Sequence, residues 1–193
     1  MSAKIADYFE RIGKLLDGIE VTDVGGATIG LEEAIVTVVQ RILRARREVK
    51  KIVLVGNGGS AAIAGHMEMD LCNRVGVRAH VFNDPPVLTA LSNDFGYHTA
   101  FERMVALWVE PDDCLIAISS SGQSENIHRA VQAARTRDCG VVTFSGFRPD
   151  NPLRAMGDLN FYVASTHYGE VEVAHHVLGH YLTDSAAESG AAR

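Results

Sequence analysis

"IVLVGNGGSAAIAGHMEMD", residues 52–70, opens on an unbroken apolar run, breaks at a glycine turn and continues at helical spacing. An apolar run closed by glycine is the pattern of a strand buried on both faces. A strand that turns on glycines into a helix is the repeating unit of an α/β fold. The helix N-terminus at such a turn suits an anion, because its free N–H groups and its dipole favour negative charge. The lysine of a P-loop is absent from this turn. Two residues of the helix, His66 and Asp70, lie four apart and therefore share one face.

The same alternation continues outward. Strands are expected at 51–56, 77–82, 113–119, 140–146 and 158–165, and helices at 60–73, 86–92, 98–109, 124–138 and 168–185. "NDPP" and "NDFGYH" read as turns, and Asn151 is placed to cap a short helix with Pro152 at its first position. This order predicts an α/β fold: a five-stranded parallel sheet, doubly wound, with helices on both faces. Ligands of such sheets bind at the carboxyl ends of strands, beside a topological switch point.

Two amphipathic helices come before the first of these strands. Residues 3–18 carry Ile5, Tyr8, Phe9, Ile12, Leu15 and Leu16 at helical spacing, and residues 31–49 carry Leu31, Ile35, Val38, Val39, Ile42 and Leu43. "TDVGGATIG" between them reads as a loop. Both apolar stripes must be buried, which makes them candidates for packing against a partner subunit. The expected layout is one domain over 1–193: a helical extension (1–50), an α/β core (51–185) and a flexible tail (186–193).

Composition excludes several classes. The chain has 193 residues, 47% apolar and 22% charged, as in a globular domain with one substantial core. No apolar run approaches the ~20 residues of a membrane span, and the charged N-terminus is unlike a secretory signal, so the expectation is a cytoplasmic protein without membrane contact. The three cysteines, Cys72, Cys114 and Cys139, form no CxxC pair, which argues against a disulfide framework or a cysteine zinc site. A net charge of −6 argues against nucleic acid as a partner. "QRILRARREVKK" (40–51) holds six basic residues and reads as a solvated helix face, with a weak site for an acidic partner as the lesser reading.

"GNGGSA" (56–61) formally fits the GxGxxA fingerprint of dinucleotide sites. That fingerprint expects an acidic residue about 20 residues on, and Asp84 lies beyond that place. A second turn, "SSSGQSEN" (119–126), points elsewhere. A helix cap needs one serine, and Ser124 followed by Ile127 is no capping box. Four serines and a glycine at a helix N-terminus suit a phosphate, held by hydroxyls and backbone N–H groups without a cation.

Near the end of the chain, "EVAHHVLGH" puts Glu172, His176 and His180 at successive i+4 steps, with His175 pointing elsewhere. Imidazoles and carboxylates from two helices suit zinc. The residues alone leave two readings open: metal ligands, or ordinary helix residues, with Asp70 pairing with Arg74 at i+4.

"VGNGGSAA", "LSNDFGYHTAF" and "ISSSGQSENIHRAV" together resemble sugar isomerase (SIS) domains, over nearly the whole chain. More narrowly they resemble the phosphoheptose isomerases, which interconvert sedoheptulose 7-phosphate and D-glycero-D-manno-heptose 7-phosphate. The resemblance implies that Ser119, Ser120, Ser121 and Ser124 hold a sugar phosphate. It implies that Asn57, Gly58, Gly59, Asn93 and Asp94 contact the sugar, and that Arg74 lies near the phosphate, reaching across subunits. It implies a homotetramer.

Some phosphoheptose isomerases carry zinc on a histidine and glutamate of the first helix and a glutamine and histidine of the last. His66, Asp70, Glu172 and His180 fall on those places, which implies one zinc per site. Two of them depart from the family: its glutamate is Asp70 here and its glutamine is Glu172, while His176 replaces an apolar residue. The resemblance further implies Asp70 as the base and His180 as the acid of an aldose–ketose isomerisation through an enediol, with Glu172 also near the substrate. A shorter base retreats by about 1–1.5 Å, and such a misplacement can cost on the order of a hundredfold in rate. The alternative is an SIS sensor or scaffold without catalysis, of the type that binds the replication initiator. Retention of both His66 and His180 speaks for the enzyme.

Overall fold

The computed structural model describes residues 4–191. Five parallel strands form the body of the sheet: β3 (Lys51–Gly56), β4 (Arg78–Val81), β5 (Cys114–Ser119), β6 (Gly140–Gly146) and β7 (Leu159–Val163). The run "KIVLVG" becomes β3 residue for residue, and its alternate side chains go to opposite cores. Ile52 and Leu54 pack on one face with Ile116, Ile118, Phe144 and Phe161. Val53 and Val55 pack on the other with Leu115, Ala117 and Val141. Burial on both faces is why the run is continuous rather than alternating.

Among the described residues seven α-helices flank the sheet: α1 (Ile5–Asp17), α2 (Leu31–Arg47), α3 (Gly59–Asp70), α4 (Pro85–Phe95), α5 (Tyr97–Trp108), α6 (Glu125–Arg135) and α7 (Tyr168–Ala191). Residues of α2, α3 and α7 fill the first core, and residues of α5 and α6 fill the second. None of the helices among the described residues is long and apolar enough to cross a membrane.

The sheet has seven strands, where five were expected. "EVTD" (Glu20–Asp23) forms β1 and "TI" (Thr28–Ile29) forms β2, an antiparallel hairpin that overlaps the segment 22–30 read as a loop. β1 then pairs antiparallel with β7, giving the order β2-β1-β7-β6-β5-β3-β4. The hairpin covers the edge that β7 would otherwise expose, and Val21 is buried there at 1% exposure. The expected tail is also corrected in part: α7 runs on to Ala191, while residues 192–193 lie outside the described residues.

Between α1 and α2 the apolar stripes meet different fates. In α1 only Ile12 is buried, while Ile5 and Phe9 stay exposed. The α2 stripe is mostly buried in the core of this chain.

β4 and β5 lie on opposite sides of β3, so the direction of winding reverses between β3 and β5. That switch point sets the glycine turn after β3 beside the serine turn after β5.

Against β6, His175 is fully buried. One ring nitrogen, Nε2, lies 3.1 Å from the Ser145 carbonyl oxygen, and the other has no partner among the described residues. Burial pushes its pKa down to about 4, against the pull of the Ser145 hydrogen bond. The folded state therefore holds the ring neutral. Its contribution is complete above pH 6.5, the unfolded value, and falls away as pH drops toward 4. The loss is at most about 3 kcal/mol. Urea unfolding at pH 7, 5.5 and 4.5 tests this: wild type should lose more stability across the series than His175→Leu, and parallel slopes would refute it.

Candidate active site

The glycine turn and the serine turn are joined by side chains. Asn57 Nδ2 donates to Asn126 Oδ1 at 3.0 Å, and Asn126 Nδ2 donates back to Asn57 Oδ1 at 2.8 Å. The Tyr97 hydroxyl adds a third bond to Asn57 Oδ1 at 2.6 Å. Asn126 Oδ1 also accepts from the Ile127 N–H at 3.0 Å, tying the amide pair to the first turn of α6.

Beside this pair lies a cavity of about 110 Å³ lined by Asn57, Ser60, Ser119, Ser120, Ser121, Ser124, Tyr168 and Glu172. All four expected serines converge here. Ser124 stands at the N-cap of α6 without capping it; its Oγ lies 3.3 Å from Ser119 Oγ. Ser121 Oγ accepts from the Gln123 N–H at 3.2 Å. Ser120 Oγ is buried and has no partner among the described residues. A buried hydroxyl without a partner is costly unless a ligand completes it.

Glu172 closes the opposite side. Its carboxylate lies so near Gly59, the first residue of α3, that a Cβ there would collide with it. Gly58, at the N-cap, holds φ at +54°, a conformation glycine adopts without strain. The α3 N-terminus thus already carries a carboxylate, which disfavours a dinucleotide diphosphate at the same place. Asp84 is likewise spent on the Val87 N–H, capping α4.

From this cavity α3 and α7 run side by side in the same direction: Gly59 meets Glu172, Met67 meets Gly179, and Asp70 meets His180 and Thr183. Their facing side chains gather His66, His176 and His180, whose ligand atoms lie within 4.8 Å of one another. The buried carboxylate of Asp70 approaches His66 Nε2 and His180 Nδ1, each at 3.5 Å. Burial, followed by the neighbouring His180 and His66, lowers the pKa of His176. Its Nε2 is buried and without a partner. A group of imidazoles with an orphaned nitrogen and an adjacent carboxylate fits a divalent metal by the chemistry of its donors.

Of the four expected metal residues, His66, Asp70 and His180 are together. Glu172 is not in the histidine group; its carboxylate turns to Gly59 and the serine cavity. Asn93 and Asp94 lie within α4, which extends to Phe95 where a turn was expected; their exposed side chains bond each other, and neither lines the cavity. Arg74 pairs with Asp184, with Asp70 at 4.0 Å, and is not among the residues lining the cavity. Four residues the sequence reading missed, Ser60, Tyr97, Asn126 and Tyr168, line or brace the site.

Residues 7–146 match the family model of the SIS domain. The chain belongs to the SIS family. A phosphoheptose isomerase of Aquifex aeolicus (strain VF5) is 33% identical over 162 residues, covering 81% of this chain and 84% of the relative. One of Roseiflexus sp. (strain RS-1) is 33% identical over 187 residues, covering 93% of each. The solved structure of phosphoheptose isomerase GmhA from Neisseria gonorrhoeae matches with a TM-score of 0.81 at 28% identity, over 94% of this chain and 96% of that one. These relatives place the chain in the phosphoheptose isomerase-like branch of SIS proteins and make it an isomerase.

The amide pair yields a test of the site's scaffold. Asn126→Ala removes both amide bonds between the turns and leaves Asn57 Nδ2 without its partner, and should cost about 1–3 kcal/mol in urea unfolding. Tyr97→Phe removes one bond from a half-exposed ring and should cost less. The reverse order would show that the pair does not brace the two turns.

Proposed function

We propose that this SIS isomerase interconverts the aldose and ketose forms of a sugar phosphate, with sedoheptulose 7-phosphate and D-glycero-D-manno-heptose 7-phosphate as the pair. The observation that carries the reading is a hydroxyl-lined anion cavity at one end of two parallel helices whose facing side chains supply Asp70 and His180 further along. By helix rise, His180 lies roughly 12 Å beyond Glu172. That separation suits an extended sugar, anchored by its phosphate, with its carbonyl end at the acid–base pair. The names of the relatives support the heptose.

In this mechanism Ser119, Ser120, Ser121 and Ser124, with the N-terminal N–H groups of α6, hold the phosphate and orient the chain. Asn57, Gly58, Gly59 and Glu172 flank the sugar. Asp70 removes the proton from C1 of the ketose while His180 donates one to the oxygen on C2, giving the enediol. His180 then takes the proton from the oxygen on C1, and Asp70 returns its proton to C2, giving the aldose. Divalent zinc, one per site, would be held by His66 and His180 with Asp70 beside them, and when bound would polarise the sugar oxygens as a Lewis acid.

An apolar groove of about 460 Å³ between α1, α2 and α7, lined by Leu16, Ile35, Val36 and Tyr181 among others, supports assembly as a homo-oligomer, with the tetramer of the family as its form. Val36 and Tyr181 are exposed in the single chain.

Conversion of sedoheptulose 7-phosphate, followed by NMR with zinc present, tests the reading. Asp70→Asn should lower kcat by at least a hundredfold. Ser120→Ala should raise KM with little change in kcat or stability, because it removes a hydroxyl that has no partner among the described residues and is left to the phosphate. Binding of the phosphosugar without turnover by the folded wild-type protein would favour a sensor.

A further inference from the structure

We propose that His176 is a ligand of the divalent metal and that Glu172 is not, so that this chain holds its metal on three histidines, His66, His176 and His180, with Asp70 beside them. The inference rests on the metal reading above and is independent of turnover.

Three observations carry it. First, the rings of His176 and His180 stack at 4.8 Å between centroids, 12° from parallel, and His66 meets both edge-on at 5.2 and 4.6 Å. All three offer a nitrogen within 4.8 Å of the others. Tetrahedral zinc with bonds of about 2.0–2.1 Å needs its donor atoms about 3.3 Å apart. Small side-chain rotations close that difference. Second, His176 Nε2 is buried yet bonds nothing among the described residues. A metal in the middle of the three rings would satisfy it. Third, Glu172 is engaged elsewhere: its carboxylate packs on Gly59 at the start of α3, beside the serine cavity.

Helix geometry alone would allow either residue, since Glu172, His176 and His180 share a face. The direction of the side chains decides. Glu172 points back toward the α3 N-terminus, where the helix dipole favours its charge. His176 points at His66. Substituting one imidazole for one carboxylate leaves Asp70 as the only acidic group beside the metal. It also moves the donor set toward nitrogen, which suits zinc and cobalt better than magnesium or manganese.

The test uses the full chain stripped with a chelator and titrated with Co²⁺, whose visible bands report tetrahedral binding, then with Zn²⁺ in competition. Wild type should take up one equivalent per chain. His176→Ala should weaken uptake at least a hundredfold, and Glu172→Ala, which removes the donor altogether, should change it less than threefold. As a check that needs no variant, ring-nitrogen NMR of wild type should show three histidines shifting on addition of Zn²⁺. Weakened uptake in Glu172→Ala with unchanged uptake in His176→Ala, or only two shifting rings, would overturn the proposal. So would a wild-type protein that takes up no metal, even if it turned over the sugar. Uptake through His176 without turnover would uphold the metal site and sink the isomerase mechanism instead.

Discussion

The close parallel contact of α3 and α7 is the constraint from which the site follows. Both helices begin at the carboxyl edge of a parallel sheet, so both must point away from it in the same sense. What lets them approach is the lack of side chains at two positions. Gly179 sits against Met67, and Gly59 sits beneath the Glu172 carboxylate, with no room for a Cβ at either. Interiors pack at crystal-like density, so a methyl group at either position would force the Glu172 carboxylate or the Met67 thioether to move. The distance between Asp70 on one helix and His180 on the other is a consequence of this spacing. At this spacing the Asp70 carboxylate lies 3.5 Å from both imidazoles.

How far the sequence foretold this depends on the range of the interaction. β3 and β6 are legible to the residue, because a strand buried on both faces writes a continuous apolar run ended by glycine. The hairpin of β1 and β2 is not. It has six residues, is rich in polar and glycine neighbours, and gains its stability from pairing with β7, some 140 positions away in the chain. Its buried Val21 gives too short a pattern for period-2 reading. Likewise α4 runs through Asn93 and Asp94 because Gly96 stops it, where the asparagine and aspartate alone suggested a turn.

The site divides in the same way. Shared helix faces made the pairs His66 with Asp70 and His176 with His180 visible. That these faces meet each other came from the family resemblance, since no local spacing encodes which helices touch. The direction taken by Glu172 was out of reach: an i+4 relation fixes where a backbone lies, and the rotamer is chosen by Gly59. The amide pair of Asn57 and Asn126 was missed because each asparagine is unremarkable within its own turn, and only the switch point brings the two turns together.

That same switch point explains where an anion goes. Two long helices, α3 and α6, open their N-termini at this end of the sheet, after β3 and β5. Each has free N–H groups and a favourable dipole, so each alone is a reasonable anion site. The protein has filled one of them with Glu172. At the other, Glu125 in the first turn is turned to Arg129 at 2.9 Å, and the serines face the cavity. A dianionic phosphate entering between the helices meets repulsion on the α3 side and hydroxyl donors on the α6 side. In a partly desolvated cavity two like charges a few ångströms apart cost several kcal/mol at an effective dielectric near 20, more than the about 1 kcal/mol a helix dipole returns. In the proposed reading the phosphate is therefore directed to the serines that line the cavity. On the same reading, the Glu172 carboxylate at the α3 side of the cavity thus biases a phosphosugar toward the serine turn.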